Sequence, residues 1–357
     1  MIVVRPEAYR QYVAGRNRFV LVVEKALADF FRLEHGTRHE HHATVLAEPG
    51  RTLADVLRSD VPENSDVLVV AAADSLLTAP TVEIGPGRTV AAVRTGTGPL
   101  ALDQTRSLLE ALERTDPGEV QRHADALAEA LAAAGGLRIE DPLTGSLAEA
   151  GFARPTWSRS DVGAFKPGAV QLAPTGRLRL ATDVTGTTLS GQIAVKGWPV
   201  VHSRTGDDAR RHELYEGLTG LSHHPLVLTV DDGTVTDLKA AASGSAAAAT
   251  ALESLFAEDP GHCAVSGVGF GLSPATQPLP FHTEANASAT GRAKASVHVV
   301  LGALPRTPYQ LTLACATSTV TAAVGTGALA GAGTETGEGG RPRRRMNRVT
   351  ASSCGCH

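Results

Sequence analysis

Val67-Leu-Val-Val-Ala-Ala-Ala73, entered through the turn-forming Pro62-Glu-Asn-Ser65, is an unbroken apolar run with no polar alternation. A run of this length, bounded by turn residues, is a strand buried on both faces, and it is too short to cross a membrane. Similar runs lie on either side: Phe19–Val23, Thr44–Leu46 and Thr89–Val93. Between and after them come helical patterns at Leu27–Leu33, Thr52–Leu57, Asp103–Arg114 and Gly118–Ala134, the last closed by Gly135-Gly136. Alternating strands and helices predict a parallel sheet covered by helices on both sides.

Past residue 145 the texture changes. Glycines and prolines punctuate short strands at Arg177–Thr182, Thr188–Val195, Leu226–Val230, Thr234–Leu238 and Val297–Leu301. Asp231-Asp232-Gly233 is a hairpin turn, and one helix, Ser245–Phe256, interrupts the strands. The predicted class is therefore α/β: a parallel-sheet domain over 1–145, a β-rich α+β domain over 146–330, and a disordered tail over 331–357. A length of 357 residues suits two cores better than one. Hydrophobic residues at 42% and charged residues at 20% exclude wholesale disorder, and aromatics at 4% leave the core to Ala, Val and Leu. Met1-Ile-Val-Val-Arg-Pro6 lacks the pattern of a signal peptide, so a cytoplasmic location is expected, with no membrane partner.

Charge is unevenly placed. Arg341, Arg343, Arg344, Arg345 and Arg348 put five cations into the tail, leaving 28 basic and 37 acidic residues in the body, a net −9. Such an arm could touch an acidic surface or nucleic acid, or stay solvated; nucleic acid is not the expected partner. Cys263 and Cys315 lie in apolar surroundings and read as reduced core residues, whereas Cys354 and Cys356 lie outside any core.

Candidate chemistry is scattered. His35, His39, His41 and His42 form a dense cluster in which His39 and His42 could share a face; a charged turn and metal binding are both open readings. Ser158 or Ser160 with Asp161, and Ser190 with His202, have the residue types of a nucleophile and its partner but no supporting spacing.

The order of motifs in the second half resembles the family of thermophilic leucyl aminopeptidases and 2,5-dihydroxypyridine 5,6-dioxygenases. The matching segments are Leu172-Ala-Pro-Thr-Gly-Arg177, Gly186–Ile193, the hairpin Leu226–Leu238, Gly269-Phe-Gly-Leu-Ser-Pro274 and Val297-His298-Val-Val-Leu-Gly302. The resemblance implies the family's fold and one or two divalent metals (Zn, Co or Fe) held by carboxylates and imidazoles. Most implied ligands are replaced: Arg177 stands for a glutamate, Val265-Ser266-Gly267 for a carboxylate, and Gln310-Leu311-Thr312 for a His-x-Asp pair. Only His298 is kept, so no cofactor is expected and the body reads as a degenerate enzyme. An active metal-dependent aminopeptidase or ring-cleaving dioxygenase is the alternative.

The C-terminal end resembles the core of a ribosomally synthesised and post-translationally modified peptide behind its leader. Thr350, Ser352 and Ser353 have hydroxyls open to dehydration or cyclisation, and Cys354 and Cys356 have nucleophilic thiols. Gly339-Gly340 resembles a leader-cleavage site. The expected partners are peptide-modifying enzymes and a leader protease, and a homodimer is left open. A further alternative gives Cys354, Cys356 and His357 to a soft metal such as Cu(I) or Zn. A tail without chemistry is the third reading.

Overall fold

The computed structural model describes every residue except 96–99, 152–156, 161–162, 175, 182–187, 205–207, 291–295, 305, 324–347 and 351–357. The chain divides into two compact units. The first comprises Met1–Arg122, Ser160–Arg177 and Ser273–Ala289; the second comprises His123–Arg159, Leu178–Leu272 and Thr290–His357.

The first unit is built on five parallel strands: β1 (Arg18–Glu24), β2 (His41–Ala47), β3 (Ser65–Ala71), β4 (Arg88–Arg94) and β5 (Val170–Ala173). Their spatial order is β5-β4-β3-β1-β2. Numbered along the chain this is the 2-1-3-4-5 order of flavodoxin-like sheets, whose direction of growth reverses between β1 and β3. All seven residues of β3 are buried. Alternate side chains enter different cores: Phe19, Leu21, Val23, Leu68 and Val70 meet Leu108, Leu109 and Leu112 of helix α2 (Ala101–Arg114). Val20, Val22, Val67 and Val69 instead meet Leu53, Val56 and Leu57 of helix α1 (Leu53–Ser59). Two-sided burial is why these runs lack alternation. Helix α1 starts in a capping box, Asp55 N–H donating to Thr52 Oγ1 and Thr52 N–H to Asp55 Oδ2, each at 3.2 Å.

The second unit contains two sheets, largely antiparallel. Seven strands run in the order Thr234–Ala240, Leu226–Asp231, Thr188–Val195, Ser146–Gly151, Gly136–Asp141, Thr319–Ala323 and Arg348–Thr350. Asp232 and Gly233 both have positive φ, 42° and 76°, which is the turn geometry that Asp-Gly favours. The other sheet includes β6 (Val200–Ser203), β7 (Val265–Gly271), β8 (Ser296–Leu301) and β9 (Tyr309–Ala314), ordered β6-β9-β8-β7 and continued by Arg177–Ala181 and Trp157–Ser160.

The α/β class and its order, parallel sheet first and β-rich part second, match the sequence reading. Among the elements that differ, two are instructive. The helix expected over Leu27–Leu33 is a 3-10 turn, Lys25–Phe30, followed by the strand Phe31–Leu33, which pairs with Ile2–Val4. The long-range pairing overrides a local pattern that supports only two helical turns. A second helix in the β-rich part, Asp208–Leu218, had no amphipathic stripe to reveal it.

Candidate functional site

His298 lies in the middle of β8 and is buried at 4% exposure. Directly opposed residues of antiparallel strands point to the same face. His298 opposes Gly269 and Ala314, Val300 opposes Thr312, and Gln310 opposes His202. One face of the sheet therefore gathers His298, Thr312, Gln310 and His202, with Gly267 and Gly269 beside them on β7. A Cβ on Gly269 would stand 3.1 Å from the Leu178 carbonyl, which restricts this strip to glycine or a shifted backbone.

Two of the positions that the resemblance sets against ligands, Ser266 and Gln310, have structural partners of their own. Gln310 Nε2 donates to the Gly302 carbonyl at 3.3 Å, and the Ser266 hydroxyl donates to the same oxygen. Gly302 has φ +70°, and a Cβ there would meet the Tyr309 carbonyl at 2.9 Å, so this turn needs glycine. Arg177 is half-buried at the head of its strand. Among the described residues, no group of three or more His, Cys, Asp or Glu side chains is placed to hold a metal ion.

The described members of the proposed nucleophile pairs have other partners. Ser158 donates to the Arg179 carbonyl, Ser190 accepts from Asp232 N–H, and Ser190 and His202 belong to different sheets; Asp161 lies outside the described residues. Burial, then the Asp141 carboxylate, pushes the Cys315 thiol far above its ordinary range. Burial, then Asp259, raises the Cys263 thiol as well. Neither is an activated nucleophile.

The histidine cluster is more ordered than a solvated turn. His39 is fully buried, with Nε2 3.1 Å from the equally buried Asp66 carboxylate at the start of β3. His35 and His42 stack, ring centroids 4.9 Å apart and planes 12° from parallel. The cluster stands at the amino edge of the parallel sheet, where strand starts Arg18, His41 and Ser65 are in register.

At the opposite, carboxyl edge the structure assembles a set that no sequence signal announced. Glu24, the last residue of β1, accepts from Ala72 N–H at 2.8 Å and Ala73 N–H at 3.3 Å, just beyond β3. Arg94, the last residue of β4, pairs with exposed Asp74 and, through Nε at 3.3 Å, with buried Glu284. Burial lowers the Arg94 pKa, but Glu284 and Asp74 outweigh it and the net shift is upward. His282 is 1% exposed; Nε2 faces the Arg94 carbonyl at 3.0 Å, while Nδ1 caps helix α3 (Thr283–Ser288) by accepting from Ala285 N–H. Burial depresses its pKa against the opposing pull of Glu284. Ligands of doubly wound sheets sit at this edge, near the switch point. Here each cation and each donor pair already faces a carboxylate of the chain itself. Arg94 and Glu284 are 190 residues apart, and only folding brings them together.

Of the tail residues, Thr350 ends the strand Arg348–Thr350, which pairs with Thr319–Ala323 through Val320↔Thr350 and Thr321↔Arg348. Gly339, Gly340, Ser352, Ser353, Cys354, Cys356 and His357 lie outside the described residues.

No family model matches the chain, and no curated protein matches it. Among solved structures it is similar to 2,5-dihydroxypyridine dioxygenase from Pseudomonas putida KT2440, at 13% identity and a TM-score of 0.49. The match covers 88% of this chain and 92% of that one. At that distance no activity passes from one to the other.

Proposed function

We propose that this protein is a non-catalytic carrier whose C-terminal peptide is modified by other enzymes at Thr350, Ser352, Ser353, Cys354 or Cys356. The observation that supports this reading most is the commitment of Ser266 and Gln310 to one backbone carbonyl, that of Gly302. Two positions that would carry ligands in a metalloenzyme of this type serve the turn between β8 and β9 instead. The Ser266 O–H and the Gln310 Nε2 amide are spent on this carbonyl, and a carboxylate in either place would set two acceptors against each other.

On this reading the folded body supplies recognition surface for the modifying enzymes, and the arginine-rich segment links it to the substrate peptide. Tethering makes the second contact intramolecular and raises the local concentration of the peptide at the bound enzyme. The leader protease then acts near Gly339-Gly340.

The test is the intact mass of the C-terminal fragment from the native host. Loss of one water per modified Ser or Thr, or per cyclised Cys, is expected. An unmodified end in the presence of the host's enzymes overturns the reading. Metal analysis of the full chain separates the enzyme alternative: stoichiometric Zn, Co or Fe that disappears in His298→Ala would favour it.

A further inference from the structure

The histidine cluster plays no part in the carrier reading, and its geometry has a use of its own. Residues 34–40 lead into β2, the edge strand of the parallel sheet. Besides the Arg38 guanidinium, which donates to the Tyr9 carbonyl at 3.0 Å, and the Arg5–Glu34 pair at 3.8 Å, three side chains hold this loop. His42 Nε2 accepts from Gly36 N–H at 3.3 Å, the Glu7 carboxylate accepts from Arg38 N–H at 2.5 Å, and His39 is anchored to Asp66. The loop lies close against its neighbours: a Cβ on Gly36 would fall 2.0 Å from Glu7 Oε1.

Only one of the three holds depends on an imidazole acting as an acceptor. A protonated His42 would direct Nε2–H at Gly36 N–H, donor against donor, and would place a cation 4.9 Å from the stacked His35 ring. The charged or titratable groups acting on His42 are His35, His39, His41 and Glu7. Burial and the three imidazoles favour the neutral form, and the Glu7 carboxylate alone opposes them. We propose that His35–Thr37 is an acid-released latch, closed on β2 while His42 is neutral and opened when His42 takes a proton. Glu34, whose N–H donates to the Val4 carbonyl at 2.9 Å, and Arg38 and His39, held by Glu7 and Asp66, are the fixed ends between which it opens. Opening moves the His35 and His42 rings apart and presents the His42 imidazolium beside exposed His41 at the edge strand.

The test is residue-resolved amide exchange on the full chain, corrected for intrinsic rates, from about pH 7.5 to about pH 5. Gly36 N–H is expected to lose protection by about tenfold per pH unit below about 6.5, the ordinary value of an imidazole. Arg38 N–H keeps its protection over the same range. His42→Gln, whose amide oxygen accepts but does not titrate, flattens the Gly36 profile. His35→Phe retains a stacked ring without its charge, so the closed latch tolerates a protonated His42 better and Gly36 loses less protection by about pH 5 than in the unmodified protein. A Gly36 profile that is flat in the unmodified protein overturns the latch, as does Arg38 losing protection in step with Gly36. Should His42→Gln leave Gly36 unprotected at every pH, His35→Phe decides: a smaller loss supports the latch, and an unchanged or larger one overturns it.

Discussion

The His39–Asp66 hydrogen bond is a residue-scale feature of the first unit with both partners wholly buried, so removing one leaves a buried polar group without its partner. Asp66→Ala is expected to lower unfolding free energy by about 1–3 kcal/mol, read from urea denaturation. His42 and His282 give a second expectation. Both pKa values are depressed by burial, so the unfolded chain binds more protons than the folded one as pH falls below about 6.5. The stability they contribute is complete above that pH and declines below it towards the folded values. A denaturation midpoint that is flat between about pH 7 and pH 5.5 would contradict this. Residue roles of this kind were poorly legible in the sequence. His39 looked like one of four histidines in a charged turn, and its partner Asp66 sits 27 positions away at the head of an apolar run. Arg94, Glu284 and His282 gave no signal, because their relation exists only after the chain returns to the first unit. His298 was legible as a strand residue; the Gly302 carbonyl that Gln310 and Ser266 share was not.

At the scale of elements the sequence was more informative, because burial leaves a pattern. The runs around Val20, Val67 and Val90 announced strands covered on both faces, and their two-faced partition between α1 and α2 is what the missing alternation meant. The helical pattern over Thr52–Leu57 announced α1, which begins at Leu53 because Thr52 caps it. Thr52→Ala removes that capping box and is expected to cost about 1 kcal/mol, measured by thermal or urea unfolding. Gly191 makes a sharper case. It has φ +116° within Thr188–Val195, and a Cβ there would stand 2.4 Å from the Leu147 carbonyl on the neighbouring strand. Gly191→Ala is expected to destabilise by about 1–3 kcal/mol, well beyond the Gly-to-Ala effect at an open position such as Gly50. Equal midpoints for the two variants would contradict that account. Elements set by distant pairing escaped the sequence: Phe31–Leu33 became a strand because Ile2–Val4 lies beside it, not because of its own residues.

For the whole molecule, the parallel sheet of the first unit should hold the slowest-exchanging amides, since β1, β3 and β4 combine near-zero exposure with strand partners on both sides. The division into two units carries a consequence for synthesis. The first unit is discontinuous, made of Met1–Arg122, Ser160–Arg177 and Ser273–Ala289. On the ribosome, β4 is complete once Arg94 has emerged, yet its outer neighbour β5 does not begin until Val170. At about 5–20 residues per second, the outer edge of β4 waits roughly 4–15 s for its partner. Helix α3 and the Glu284 that neutralises Arg94 arrive later still. During that interval the nascent chain carries an open parallel edge beside an arginine that has Asp74 but not yet Glu284 as its partner, the kind of surface on which early aggregation or chaperone capture begins. The order in which this protein is made, and not only its finished contacts, therefore sets when its oldest strands become safe.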